Sequence, residues 1–200
     1  EIGYFEPGGG YVRPEACISA QLKRGLELGG VTRLGTTVRN IDQMESGVAI
    51  ATDDETIYAE HVIVAAGAWA PALLGGPFQP LLTPRRQFMN WFPVEAQFAT
   101  AWESGPVFIW AHGAGAEDFF YGFPSLPGSG TIKTAGEQYR DRVEPETMKR
   151  VVDAEESRAM YAEHVAGRLN GLDPVAARAV TCLYTVTPDS AFVIDRHPDA

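Results

Sequence analysis

His61-Val62-Ile63-Val64-Ala65-Ala66-Gly67 carries no polar side chain between its histidine and its glycine, and no other stretch constrains the fold as strongly. Successive side chains of a strand point to opposite faces of a sheet, so a half-buried strand alternates apolar with polar residues. This run does not alternate. It predicts a strand covered on both faces, as in a parallel sheet flanked by helices. The preceding residues supply companions for it. Gly8-Gly9-Gly10 forces a turn, and Pro14 suits the first turn of a helix, where its missing amide hydrogen would be unpaired anyway. Ile18, Leu22 and Leu26 recur on one face of that helix, and Gly29-Gly30 ends it. Val31 to Asn40 reads as extended, and Gly47 to Glu60 as a hairpin turning at Asp53-Asp54-Glu55. Together these predict an α/β layer of the nucleotide-binding kind.

After Pro77, Pro80 and Pro84 the texture changes to aromatic-rich extended segments: Arg86 to Phe92, Val107 to Trp110, Asp118 to Phe123 and Thr131 to Ala135. Such composition predicts an antiparallel sheet. Pro145 to Asn170 is helical by composition, broken near Asp153 and closed by Gly171; Val180 to Thr187 and Ala191 to Asp195 resume strand patterning. The expected division is therefore residues 1–84, then 85–189, with 190–200 returning to pack with the first part.

Composition excludes several functions. A formal net charge of -10 with scattered basic residues leaves no footprint for nucleic acid, which needs clustered Lys and Arg. The longest apolar runs fall far short of a bilayer span, and the first residues have neither the basic start nor the apolar centre of a signal peptide. They also lack an initiator Met, which suggests a processed or cut chain. With only Cys17 and Cys182, a disulfide framework is not expected and a reducing, cytoplasmic setting is. His61, His112, His164 and His197 show no ligand spacing, so no metal site is expected. Asp153-Ala154-Glu155-Glu156 reads as a solvated helix start. Of Arg85 and Arg86, adjacent on a strand, at most one can point inward.

Val62 to Trp69 resembles the "VIVAAGAW" segment of the D-amino-acid-oxidase-like flavoproteins, in which small residues and a glycine let the backbone approach a dinucleotide. Phe5-Glu6-Pro7 and Tyr11-Val12-Arg13-Pro14-Glu15 are similar to the corresponding stretch of the sarcosine-oxidase branch. Tyr121-Gly122-Phe123-Pro124-Ser125, with Gly130-Thr131-Ile132-Lys133, resembles the "YGFP…G-x-K" block of monomeric sarcosine oxidases and N-methyltryptophan oxidases. Ala179 to Thr185 resembles the segment whose Cys carries the flavin, and Pro188-Asp189 with Phe192 to Pro198 is similar to "PDEHFIIDxHP". The resemblance runs from about Phe5 to His197 and is patchy between Pro93 and Asp118.

It implies part of a Rossmann-like FAD-binding domain joined to an antiparallel-sheet substrate domain, and an enzyme oxidising a secondary or N-methylated amino acid with oxygen to give hydrogen peroxide. Ala66, Gly67 and Trp69 would lie against the cofactor, and Val38 would offer backbone atoms to its adenine end. Cys182 would bond to the 8α-methyl group of FAD, a step requiring a thiolate. Tyr121 would lie near the substrate. Lys133 would sit over the flavin and promote reaction with oxygen, since a fixed ammonium stabilises superoxide as it forms. Where sarcosine oxidase has a His four residues after that Lys, this chain has Glu137. An anion there would hold a cationic amine better than a second carboxylate, which leaves open a substrate other than sarcosine; Glu137 could equally be a surface carboxylate.

The family's Gly-x-Gly-x-x-Gly fingerprint is expected upstream of Glu1, and its C-terminal "GHGFKF" block beyond Ala200, making this chain a central piece. A fructosyl-amino-acid oxidase, an amine dehydrogenase and a catalytically silent binding domain remain alternatives, because fold alone does not decide function.

Overall fold

The computed structural model describes residues 2–197. The chain divides into two units: Val12–Pro84 with the segment from Tyr184, and Arg85–Leu183 with the segment up to Tyr11.

In the first unit, helix α1 (Pro14–Glu27) starts on its proline and stops before Gly29, whose φ of 91° closes it. None of its residues is buried, and Ile18, Leu22 and Leu26 stay about half exposed. Cys17 is exposed with them. Strands β1 (Val38–Gln43), β2 (Val48–Thr52) and β3 (Thr56–Ala59) form an antiparallel sheet in sequence order. Gly47 is required at the first turn: its φ is 86°, and a Cβ there would meet the Ala59 carbonyl oxygen at 2.4 Å. The second turn is the one expected at Asp53 to Glu55. Its amides at Asp54 and Glu55 donate to the Thr52 hydroxyl, and the Thr52 amide donates to Glu55 O at 2.9 Å. Short helices α2 (Ala70–Leu74) and α3 (Phe78–Leu81) follow.

Two expected strands are not ladders. Residues 61–66 form no strand, and Ile63 is 93% exposed. Residues 191–195 form no strand either, leaving Phe192 and Ile194 almost fully exposed. Apolar patterning marks a segment fit for a sheet interior, yet a strand exists only where a neighbour completes its hydrogen bonds. The pairings of β1 with β2 and of β2 with β3 are both antiparallel.

The second unit is built on β4 (Thr83–Pro93), α4 (Ala99–Glu103), β5 (Phe108–Ala111), β6 (Phe119–Phe123), β7 (Thr131–Gly136), α5 (Ala154–Met160) and β8 (Arg178–Val186). Its five strands lie in the order β5-β6-β7-β4-β8. On one face Phe92 and Ile132, opposite each other across β4 and β7, are fully buried against Met160, Val165 and Leu172. Burying side chains of this size stabilises by about 1.5–3 kcal/mol each. Asn90, also on this face, accepts a 2.7 Å hydrogen bond from the Ser157 hydroxyl of α5.

Helix α5 begins later than composition suggested, because Asp153 fixes its start. The Asp153 carboxylate accepts from the Glu155 and Glu156 amides while Glu156 accepts from the Asp153 amide, a reciprocal capping box. Arg86 is the inward-pointing arginine: it meets Glu156 at 2.7 Å and the carbonyls of Lys149 and Val151 at 2.8 and 3.1 Å. A π-turn (Tyr161–Val165) extends α5 and buries His164, whose Nδ1 lies 3.0 Å from His112 Nε2. Desolvation holds the His164 pKa below the usual histidine value. A Cβ at Gly136 would lie 2.8 Å from His164 Nε2.

Gly171 combines a φ of 73° with a Cβ position 2.1 Å from the Phe98 ring. Gly171→Ala should cost about 2–4 kcal/mol from left-handed strain plus overpacking, read as a lower urea midpoint at unchanged slope.

Candidate functional site

The β4–β7 register that sends Phe92 and Ile132 into the core turns Trp91 and Lys133 to the opposite face, because neighbours along a strand alternate. Across β7 and β6, Lys133 stands opposite Phe123, and Ala135 opposite Tyr121. Tyr121, Phe123, Lys133 and Trp91 therefore share one face. The Tyr121 and Phe123 rings meet edge to face at 6.0 Å.

Strand β8 adds Cys182. Arg178 on that strand places its guanidinium 4.6 Å from the centre of the Trp91 ring. Cys182 lies four residues on, an even step that keeps it on the same face, while the neighbouring Thr181 hydroxyl turns to the Arg150 carbonyl at 3.0 Å. The Cys182 thiol is half-buried, and burial raises its pKa; the positive charge of Lys133 works against that rise, and Glu137 adds to it. Glu137, just beyond β7, accepts from the Tyr139 hydroxyl and borders a cleft of about 360 Å³ that also touches Arg86, Gln138 and His164. Four of the sequence-derived candidates, Tyr121, Lys133, Glu137 and Cys182, thus come from one unit.

The other four belong to the Val12–Pro84 unit. Val38 opens β1, an edge strand of its sheet, beside a bulge between Val38 and Asn40. Ala66 is half-buried, and Trp69 is 43% exposed at the end of a 3₁₀ turn. Gly67 has a φ of 53°, and beyond its two chain neighbours no described residue comes within 4 Å of where its Cβ would be. A left-handed residue open on its Cβ side suits a backbone approached closely by a ligand.

Sequence reasoning passed over Trp91 and Arg178. The available signal was alternation: Phe92 reads as core, which sends Trp91 outward, and Arg178 is an even number of residues from Cys182.

Among the described residues no group of three or more His, Cys, Asp and Glu side chains could hold a metal ion. The donor set does fit a flat, redox-active ring: aromatic walls, a half-buried thiol, and an ammonium without a carboxylate partner among the described ion pairs. In flavin-free protein, the pH profile of Cys182 alkylation should have its midpoint above the ordinary cysteine range. Lys133→Met should move that midpoint higher still, since the thiolate loses a stabilising charge; iodoacetamide labelling followed by peptide mass spectrometry reads both.

Comparison with known proteins bears on which ring this is. Over 203 residues the chain is 34% identical to a monomeric sarcosine oxidase from Streptomyces avermitilis, covering 99% of this chain and 51% of that protein. It is 26% identical to an N-methyl-L-tryptophan oxidase from Salmonella heidelberg, covering 98% of this chain and 51% of the relative. The chain thus spans about half the length of the curated relatives it matches. The open form of NikD, an unusual amino acid oxidase, superposes with a TM-score of 0.67 at 21% identity, over 88% of this chain and 45% of that one, and so shares its fold. The family model described as FAD dependent oxidoreductase matches residues 1–200, and the chain belongs to that family, the DAO family.

Proposed function

We propose that the intact protein oxidises a secondary or N-methylated amino acid with oxygen, releasing hydrogen peroxide, and that its FAD is tethered through Cys182. The observation that carries this reading is the convergence of Cys182, Lys133 and Tyr121 on one sheet face. It is supported by the 34% identity to a monomeric sarcosine oxidase.

FAD, when bound, would supply the acceptor for the two electrons and proton leaving the carbon attached to nitrogen, and the means by which they reach oxygen, where a second proton completes hydrogen peroxide. Water hydrolyses the resulting imine to an amine and a carbonyl compound. This chain's residues supply the setting. Cys182 offers the sulfur for a thioether and Lys133 favours its thiolate form. Lys133 also stabilises the anion that forms when oxygen gains an electron, an effect strongest in a site shielded from water. Tyr121 borders the substrate. Glu137 favours a cationic amine over a second carboxylate, which argues for a substrate other than sarcosine. Val38, Ala66, Gly67 and Trp69 would receive the rest of the cofactor through backbone approach. Two cysteines that are both free suit a reducing, cytoplasmic setting. Among the described residues no helix is long and apolar enough to cross a membrane.

In the full-length protein, Lys133→Met should slow flavin reoxidation by oxygen by about a hundredfold or more while flavin reduction by substrate changes little. Stopped-flow absorbance separates the two, and equal slowing of both would remove the oxygen role. Cys182→Ser should leave a folded protein whose flavin is released by acid. Wild-type protein that already loses its flavin under acid would refute the thioether.

A further inference from the structure

Phe123, Lys133, Trp91 and Arg178 come one each from β6, β7, β4 and β8, four strands adjacent in that order. The Lys133 ammonium lies 4.9 Å from the Phe123 ring centre and 5.7 Å from that of Trp91, and the Arg178 guanidinium 4.6 Å from Trp91. Phe123 and Trp91 are the direct cross-strand partners of Lys133 on its two sides. We infer that this alternating row of aromatic and cationic side chains sets the position of the Lys133 ammonium, with Trp91 and Arg178 acting as its positioning residues. The inference rests on the oxygen role proposed above for Lys133.

A lysine holds its charge on a flexible four-carbon stem, so a fixed ammonium needs something to fix it. Carboxylates commonly do this, and the chain has 26 acidic residues against 16 basic ones. Yet no described salt bridge involves Lys133 or Arg178. The distinction has a chemical consequence. A carboxylate would place a counter-charge beside the ammonium and compete with any anion forming nearby. An aromatic face attracts a cation through its quadrupole and leaves the full charge available. Trp91 can do this only while its indole is held in place. Arg178 rests on that indole from the strand on the far side, and a planar guanidinium is suited to such stacking. A lysine stem lying by chance along an apolar surface would not require its two rings to sit at directly paired positions or a second cation to back one of them.

The test uses the full-length flavin-loaded protein. Trp91→Leu should slow reoxidation by oxygen about tenfold, the loss expected for one desolvated cation–π contact, with reduction by substrate within about twofold of wild type. Trp91→Phe, which keeps an aromatic face, should stay within about twofold in both half-reactions. Arg178→Gln, at an exposed position, should slow reoxidation about threefold and provides the same comparison if Trp91→Leu does not fold.

A second readout is independent of turnover: the ε-methylene signal of Lys133 in lysine-labelled protein, assigned through Lys133→Arg. That signal should be shifted upfield by the rings, lose much of the shift in Trp91→Leu, and keep it in Trp91→Phe. An unmoved signal in Trp91→Leu, equal slowing of both half-reactions, or reoxidation at wild-type speed in both Trp91→Leu and Arg178→Gln would overturn the row. Lys133→Met separates the two ideas. If it reoxidises normally, the oxygen role falls and the row falls with it; if it is slow while Trp91→Leu is not, only the row falls.

Discussion

The pairing of β4 with β7, in which Phe92 stands opposite Ile132 and Trp91 opposite Lys133, is the constraint on which the second unit depends. One register decides two things. It delivers Phe92 and Ile132 to the fully buried cluster beneath α5, and it exposes Trp91 and Lys133 on the reverse side. Because the side-chain period of a strand is two, a slip of β7 by one residue would bury the Lys133 ammonium and expose Ile132. Desolvating an unpaired ammonium costs several kcal/mol, so the core defends the site's geometry without touching it.

The elements set by local chemistry were legible in the sequence. Pro14 and Gly29 bracket α1, the small sheet turns at Asp53 to Glu55, and the aromatic runs from Arg86 to Ala135 become strands of the antiparallel sheet. Segments that need a distant partner were not. Val62-Ile63-Val64 and Phe192-Val193-Ile194 have the composition of sheet interiors, but composition supplies no hydrogen-bonding neighbour, and in a chain spanning half the length of its curated relatives they form no strand. The helix expected from Pro145 shortened for a different reason: Asp153 ends the competition between helix and loop by capping.

The candidate site divides along the same line. Lys133, Tyr121 and Cys182 were found through motif resemblance, and strand alternation explains why they share a face. Trp91 and Arg178 belong to no such motif. Their roles depend on which strand lies beside which, and the order β6-β7-β4-β8 is a property of the whole sheet that no single window of sequence contains.

The pair formed by His112 and His164 reaches into the protein's tolerance of change. Two ring nitrogens 3.0 Å apart share one hydrogen, so one ring must accept while the other donates. Replacing either histidine alone strands a nitrogen of its partner, and any side chain at Gly136 would press on the same imidazole. Positions 112, 136 and 164, far apart in the chain, are therefore bound to drift together or not at all. A library randomised at all three should recover folded variants as matched sets, and single replacements drawn from those sets should fare worse than the sets themselves.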